Sequence, residues 1–277
     1  MILKNSFFKQ IVQLSFFALL ITFTSSCSKE NSTEEDSTET KIEEPENDDE
    51  NIASTKYPAL ILNLSCWEET LPISEIDDND NPMDIYQPEL ATFKHDTYFH
   101  VNSSDDGVVF RAHCGGVTTS GSGYPRSELR EMNPNYTGSS SKASWSTTSG
   151  THTMYIKQAI THLPDYKKHV VAGQIHDAND DVIVFRLEND KLFIDENGNN
   201  GPVLTSDYQL GDVFTVKFIA EEGGVKCYYN DEYIYTYKVN ADACYFKAGC
   251  YTQSNVSKGD KSTAYGEVEI YDLWVSH

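Results

Sequence analysis

Three short segments carry side chains whose types and spacing could do chemistry. In Arg126-Ser127-Glu128-Leu129-Arg130-Glu131, guanidinium groups alternate with a carboxylate. Side chains two residues apart on an extended strand share a face and lie about 6.6 Å apart. Arg126, Glu128 and Arg130 would therefore form one row able to grip acidic groups repeated along a polymer. In Gln174-Ile175-His176 the same period puts an amide and an imidazole on one face of an otherwise apolar strand, Val170-Val171-Ala172-Gly173. An imidazole exchanges a proton near neutral pH, and an amide donates hydrogen bonds to a carboxylate without adding charge. In the segment from Tyr245 to Gln253, one face would hold Tyr245, Lys247, Gly249, Tyr251 and Gln253. Tyr rings suit the apolar faces of sugars and their hydroxyls suit polar tips, while Gly249 marks the close approach of a sugar or of backbone. Each segment alone could be ordinary strand decoration, so their weight is joint.

The elements that must position these side chains are nearly all β. From about residue 55, short alternating or apolar runs are separated by polar, Gly-rich or Asn/Asp-rich turns. The pattern predicts strands over 97–101, 108–113, 127–132, 153–160, 170–176, 182–188, 192–194, 213–220, 225–229, 233–239, 245–253 and 265–275. Turns are predicted over 177–181, 195–201 and 221–224 and at Asn230-Asp231. No amphipathic helix and no fixed-period repeat is evident. So many strands in one stretch suit an all-β jelly-roll sandwich of two antiparallel sheets, one of them concave enough to offer a groove. Residues 55–277 read as a single domain.

The chain has 277 residues, 39% of them hydrophobic, with 17 Tyr and 13 Phe, which suits one sizeable aromatic-rich core plus appendages. Its formal net charge of −22 argues against nucleic-acid binding, which needs basic surface to neutralise phosphates. Residues 1–27 read as an export signal, with Lys4 and Lys9 ahead of an apolar run from Leu14 to Phe23 that is too short for a good membrane span. Its end, Ser25-Ser26-Cys27, resembles a bacterial lipoprotein signal, with Thr24 where that pattern usually has Leu. Cys27 would then be lipidated, making the lipid anchor the only membrane contact; an ordinary secretory signal is the alternative. Residues 28–54 form an acidic tether whose composition cannot bury enough apolar surface to fold. Taking the −9 of residues 28–50 and the +2 of the leader from the chain's −22 leaves −15 for the remainder, so the acidity is not confined to the tether. Five further cysteines, Cys66, Cys114, Cys227, Cys244 and Cys250, would sit in an oxidising compartment, where at most two disulfides could form among them. Their spacing matches no zinc pattern, and neither a metal nor another cofactor is expected.

Taken in order, R-S-E-L-R, Q-I-H and Y-F-K-A-G-C-Y-T-Q resemble the signature of the alginate lyases of polysaccharide lyase family 7. The resemblance spans residues 55–277 and implies a β-jelly-roll with the site in a groove on a concave sheet. It implies β-elimination at a uronate: the C5 proton is removed, the C4–O bond breaks and an unsaturated sugar remains. Arg126, Gln174 and His176 would neutralise the enolate-like dianion, and Tyr251 would protonate the leaving O4. In mannuronate H5 and O4 lie on the same side, so Tyr251 could be both base and acid; in guluronate they lie opposite, so His176 would be the base. Ile175 in Q-I-H hints at guluronate-containing blocks. Arg130 and Lys247 would meet neighbouring carboxylates, Glu128 would orient the two arginines, and Gln253 would contact sugar hydroxyls. Tyr124 reads as strand entry, and His113 and His169 as structural. The expected partner is alginate, met by a monomer at the outer membrane or cell surface of a Gram-negative bacterium, or secreted. A glycoside hydrolase would need two carboxylates flanking the bond, and Glu75-Ile76-Asp77-Asp78-Asn79-Asp80 does not supply the corresponding strand motif. The remaining alternative is a non-catalytic module binding acidic polysaccharide, which has no evident need for His176 and Tyr251 together.

Overall fold

The computed structural model describes residues 56–75 and 78–277, so the predicted export signal, Cys27, the acidic tether and Ile76-Asp77 lie outside it. In chain order the strands are β1 (Trp67–Glu75), β2 (Asp78–Ile85), β3 (Phe99–Val101), β4 (Val108–His113), β5 (Arg126–Glu131), β6 (His152–His162), β7 (His169–His176) and β8 (Asp181–Glu188). They continue with β9 (Lys191–Glu196), β10 (Asn199–Thr205), β11 (Phe214–Glu221), β12 (Gly224–Tyr229), β13 (Glu232–Lys238), β14 (Tyr245–Thr252) and β15 (Tyr265–Ser276). The helices among the described residues are three short 3-10 turns.

Two antiparallel sheets result, an eight-stranded one ordered β10-β9-β8-β7-β14-β5-β1-β2 and a seven-stranded one ordered β13-β12-β11-β6-β15-β4-β3. This is the expected jelly-roll sandwich. Period-two alternation decides which side chains fill it. On β11 Phe214, Val216, Phe218 and Ala220 point inward and are buried, while the intervening residues are only half-buried. Phe185 of β8 stacks on Phe218 across the sheet interface with ring centroids 4.4 Å apart. A bulge in β15 between Ile270 and Asp272 resets the alternation, so that Leu273 returns to the core.

Three strands went unpredicted, each for a physical reason. β1 begins Trp67-Glu68-Glu69-Thr70, placing a carboxyl on both faces, yet Glu69 is fully buried against the core. The Ser127 hydroxyl lies 2.7 Å from Glu69 Oε1 and 2.9 Å from the Tyr98 carbonyl. That hydroxyl has one proton and a carbonyl only accepts, so a neutral Glu69 supplies the second proton. Burial, which pushes the Glu69 carboxyl well above its usual range, agrees. β2 is broken by Asp, Asn and a Pro and shows no strand pattern, and β10 opens Asn-Asn-Gly-Pro, partly inside the turn predicted over 195–201. All five cysteines of the described residues are free thiols, so no disulfide forms there.

Candidate active site

Sheet order brings together what the chain separates. β14 lies between β7 and β5, so the three segments singled out in the sequence are neighbours. Their register pairs Arg126 with Tyr251, Arg130 with Lys247, Lys247 with Gln174, and Tyr245 with His176. A cleft of about 540 Å³ opens over these strands, lined also by residues 119–122 and 178–181, by Lys142 and by β1 and β2 side chains such as Glu68 and Asp84.

Glu128 holds the floor together. Its side chain is completely buried and accepts hydrogen bonds from Arg126 Nη1 at 2.9 Å, Lys247 Nζ at 2.5 Å and Gln174 Nε2 at 2.5 Å. Burial alone would raise its pKa, but the charges of Lys247 and Arg126 hold it below the usual carboxylate range. Two of the expectations for this residue are corrected. Being inaccessible, Glu128 cannot touch a substrate, and it orients Arg126, Lys247 and Gln174 in place of the two arginines. Arg130 instead lies over the Tyr245 ring, 3.8 Å from its centroid.

Arg126 is only 7% exposed and its guanidinium sits 4.1 Å above the Tyr251 ring. Lys247 is buried just as deeply; desolvation, followed by the neighbouring Arg126 charge, lowers its pKa from 10.5 to about 8. The Tyr251 hydroxyl lies 2.9 Å from Ser122 Oγ, which also bonds the backbone of Tyr124. Burial raises the Tyr251 pKa above the ordinary 10, against the opposing pull of Arg126, so the resting group is a neutral phenol.

His176 has its proton placed by its surroundings. Nδ1 lies 2.6 Å from the Asp177 carbonyl oxygen and 3.0 Å from the Tyr245 hydroxyl. A carbonyl only accepts, so Nδ1 carries the hydrogen and Nε2 keeps a lone pair. Burial lowers the pKa of this half-buried imidazole, which keeps it neutral.

Arg126, Arg130, Gln174, His176, Lys247 and Tyr251 thus all line one cleft. Gln253 does not: it lies beyond the end of β14, its backbone N–H bonded to the His169 carbonyl, and is not among the lining residues. Of the two readings of Gly249, close approach of backbone is the one the structure shows. A Cβ there would stand 2.6 Å from the Ser127 carbonyl oxygen and 2.9 Å from Glu128 Cα, and its φ is +135°, so the glycine serves strand contact and not a sugar. Sequence reasoning passed over Ser122 and took Tyr124 for strand entry, yet the Tyr124 ring meets Tyr251 edge-on at 6.3 Å. The Gly-Ser loop before Tyr124 was the available signal. His113 stacks on Tyr98, and His169 sits between Arg186 and Glu188, both away from the cleft lining.

Carboxyls also line the cleft, but burial raises two of them, Glu68 and Asp181, the latter to about 6 with help from Asp180. The site can therefore offer cations, a neutral base and a phenolic acid to an anionic chain.

Comparison with known proteins accords with this geometry. The alginate lyase family profile matches residues 62–277. An alginate lyase of polysaccharide lyase family 7 is 56% identical with a TM-score of 0.76, covering 80% of this chain and 99% of its own. The alginate lyase from Corynebacterium sp. is 48% identical with a TM-score of 0.75, covering 80% of this chain and 98% of its own. A family 7 alginate lyase solved in complex with the substrate GGMG is 25% identical with a TM-score of 0.67, covering 80% of this chain and 96% of its own. No curated protein matches significantly. With the profile covering most of its length and solved relatives this similar, the chain belongs to the alginate lyases of polysaccharide lyase family 7.

Proposed function

We propose that this alginate lyase cuts guluronate-containing blocks by anti elimination, with His176 as base and Tyr251 as acid. The observation that carries this division is the proton inventory: His176 Nδ1 donates to the Asp177 carbonyl, leaving Nε2 free to accept, while Tyr251 rests as a phenol. A base must start without its proton and an acid must start with one. In guluronate H5 and O4 lie on opposite sides of the ring, which calls for two such groups.

Arg126 and Gln174 would stabilise the carboxylate dianion that develops as C5 loses its proton, since preorganised donors act most strongly where charge appears. Electrons from the C5–H bond form the C4–C5 double bond, the C4–O bond breaks, and O4 takes the Tyr251 proton. Arg130 and Lys247 would hold carboxylates of adjacent sugars. That a 25%-identical family 7 alginate lyase is solved in complex with the substrate GGMG supports an oligosaccharide as the ligand of this cleft.

Ultraviolet absorbance of the unsaturated product tests this on purified polyguluronate and polymannuronate. Tyr251→Phe should abolish turnover on both while polymer binding survives. His176→Gln should slow cleavage between guluronates by roughly 10²- to 10⁴-fold, the usual contribution of a general base, and affect mannuronate much less. Equal loss on the two polymers would refute the division of roles.

The same reading places the enzyme on the cell surface as a monomer, tethered through a lipidated Cys27 and the acidic segment after it. Its support is the leader pattern of residues 1–27. If Cys27→Ala leaves the protein partitioning into detergent as wild type does, this anchor is excluded.

A further inference from the structure

The seven-stranded sheet carries on its outer face a row that the cleft does not use. Register aligns Trp274 of β15 with Tyr155 of β6, Tyr155 with Lys217 of β11, Lys217 with Tyr228 of β12, and Tyr228 with Tyr233 of β13. Leu273, Met154, Ile156, Val216, Phe218 and Cys227, the chain neighbours of the first four, are buried in the core, so those four side chains face outward; Tyr233, 55% exposed, meets Tyr228 edge-on on the same face. Neighbouring strands lie about 4.8 Å apart, and five of them extend the row over roughly 19 Å.

Cross-strand aromatic pairs are common on sheets and stabilise them by covering each other. This row leaves much uncovered: Trp274 is 43% exposed and Tyr233 55% exposed. Trp274 and Tyr155 are stacked 13° from parallel, with centroids 5.5 Å apart, while the Lys217 ammonium stands 4.3 Å from the Tyr228 ring centroid at the row's centre. Flat aromatic faces suit the apolar faces of pyranose rings, and a central ammonium suits their carboxylates. Asp231 and Asp272 lie near Tyr155, so the anion would be met at Lys217.

We propose that this row is a second binding surface for a uronate polymer, on the sheet opposite the catalytic cleft. It rests on the reading of the cleft for the identity of the polymer. Holding a distant stretch of the chain would raise the concentration of cleavable bonds at the cleft without adding a catalytic contact.

The test is Trp274→Ala combined with Lys217→Ala, compared with wild type. KM for long alginate should rise roughly three- to tenfold, with kcat/KM on a short uronate oligomer unchanged, and Trp274→Tyr should restore most of the loss. Retardation in a native gel containing alginate should weaken in the double variant. That readout does not need turnover, so a wild-type protein inert toward alginate would refute the reading of the cleft and leave the back face still tested. Unchanged KM and gel mobility would overturn the proposal, as would equal losses on long and short substrates. So would light scattering that shows Trp274→Ala dissociating a dimer, since the row would then be a contact between copies.

Discussion

Replacing Glu128 by Gln would separate charge from hydrogen bonding at the heart of the cleft. Oε2 of Glu128 accepts from both Arg126 and Lys247, and Oε1 accepts from Gln174. An amide oxygen could keep the two cation contacts, and Gln174 could turn its own amide to accept from the new NH2 group. Only the negative charge is lost, leaving two buried cations side by side. Breaking a buried ion pair from one side costs about 3–5 kcal/mol, and denaturant unfolding at neutral pH should show a loss of that order. Lys247 offers a partial escape. Its pKa is about 8 even with Glu128 beside it, so removing its proton at pH 7 costs only about 1.4 kcal/mol. Without Glu128 its pKa should fall below neutral and the ammonium should be lost. The variant's kcat/KM at pH 7 should then drop by roughly 10²-fold, the scale of a missing electrostatic donor, and recover in part at lower pH as Lys247 is recharged. Unfolding free energy within about 1 kcal/mol of wild type, together with an unmoved alkaline limb of activity, would refute the central place given to this carboxylate.

The pH profile of the wild type follows from the same groups. Activity on polyguluronate should fall on the acid side only below the ordinary histidine value of 6.5, because burial lowers the His176 pKa, and on the alkaline side above about 8 as Lys247 loses its proton. Lys247 is depressed from its unfolded 10.5, so its contribution to stability rises between about pH 8 and 10.5, since the unfolded chain binds the extra proton there. Activity and stability should therefore part company in that window, and Lys247→Met should abolish the alkaline limb in an initial-rate profile. Gly249→Ala should destabilise the fold by about 3 kcal/mol or more, the range for strain and overpacking together, measured by thermal unfolding; a near-neutral effect would mean that β14 and β5 can move apart at that point.

Much of the site was legible because period two is a local property. Arg126 and Arg130, Gln174 and His176, and Lys247 and Tyr251 each share a face by spacing alone, and all six line the cleft. What Glu128 does was not legible, because its partners come from β5, β7 and β14, and register between distant strands is set by the whole sheet. Irregularity compounds this: the β14–β7 register shifts between Lys247 and Tyr251, near Gly173 and Gly249 with their positive φ. Gly249 left a sugar and a backbone as alternatives because the sequence does not reveal how closely β5 passes. β1 was hidden for a different reason: a buried protonated Glu69 is a tertiary fact, and adjacent glutamates otherwise read as exposed chain. Ser122 and Tyr124 lie in a loop, where no periodicity exists to assign their neighbours.

An acidic protein that binds an acidic polymer needs its charges arranged by depth. The chain's net charge is −22, yet Arg126 and Lys247 lie at the cleft floor, each with less than a tenth of its surface exposed. There low dielectric lets a few cations act strongly over short range. The same burial would expel the Lys247 proton were the cations unpaired, and it is Glu128, itself inaccessible, that offsets their charge. A single carboxylate on the floor thereby compensates part of two cations and leaves a net positive remainder for substrate. The carboxyls of the cleft wall work differently: burial raises the pKa of Glu68 and Asp181, which moves both toward the neutral acid, the form that does not repel an arriving uronate. Overall charge is thus a poor guide to the partner, because long-range repulsion is screened within about 8 Å at physiological salt, while binding is decided by the few buried groups inside that distance.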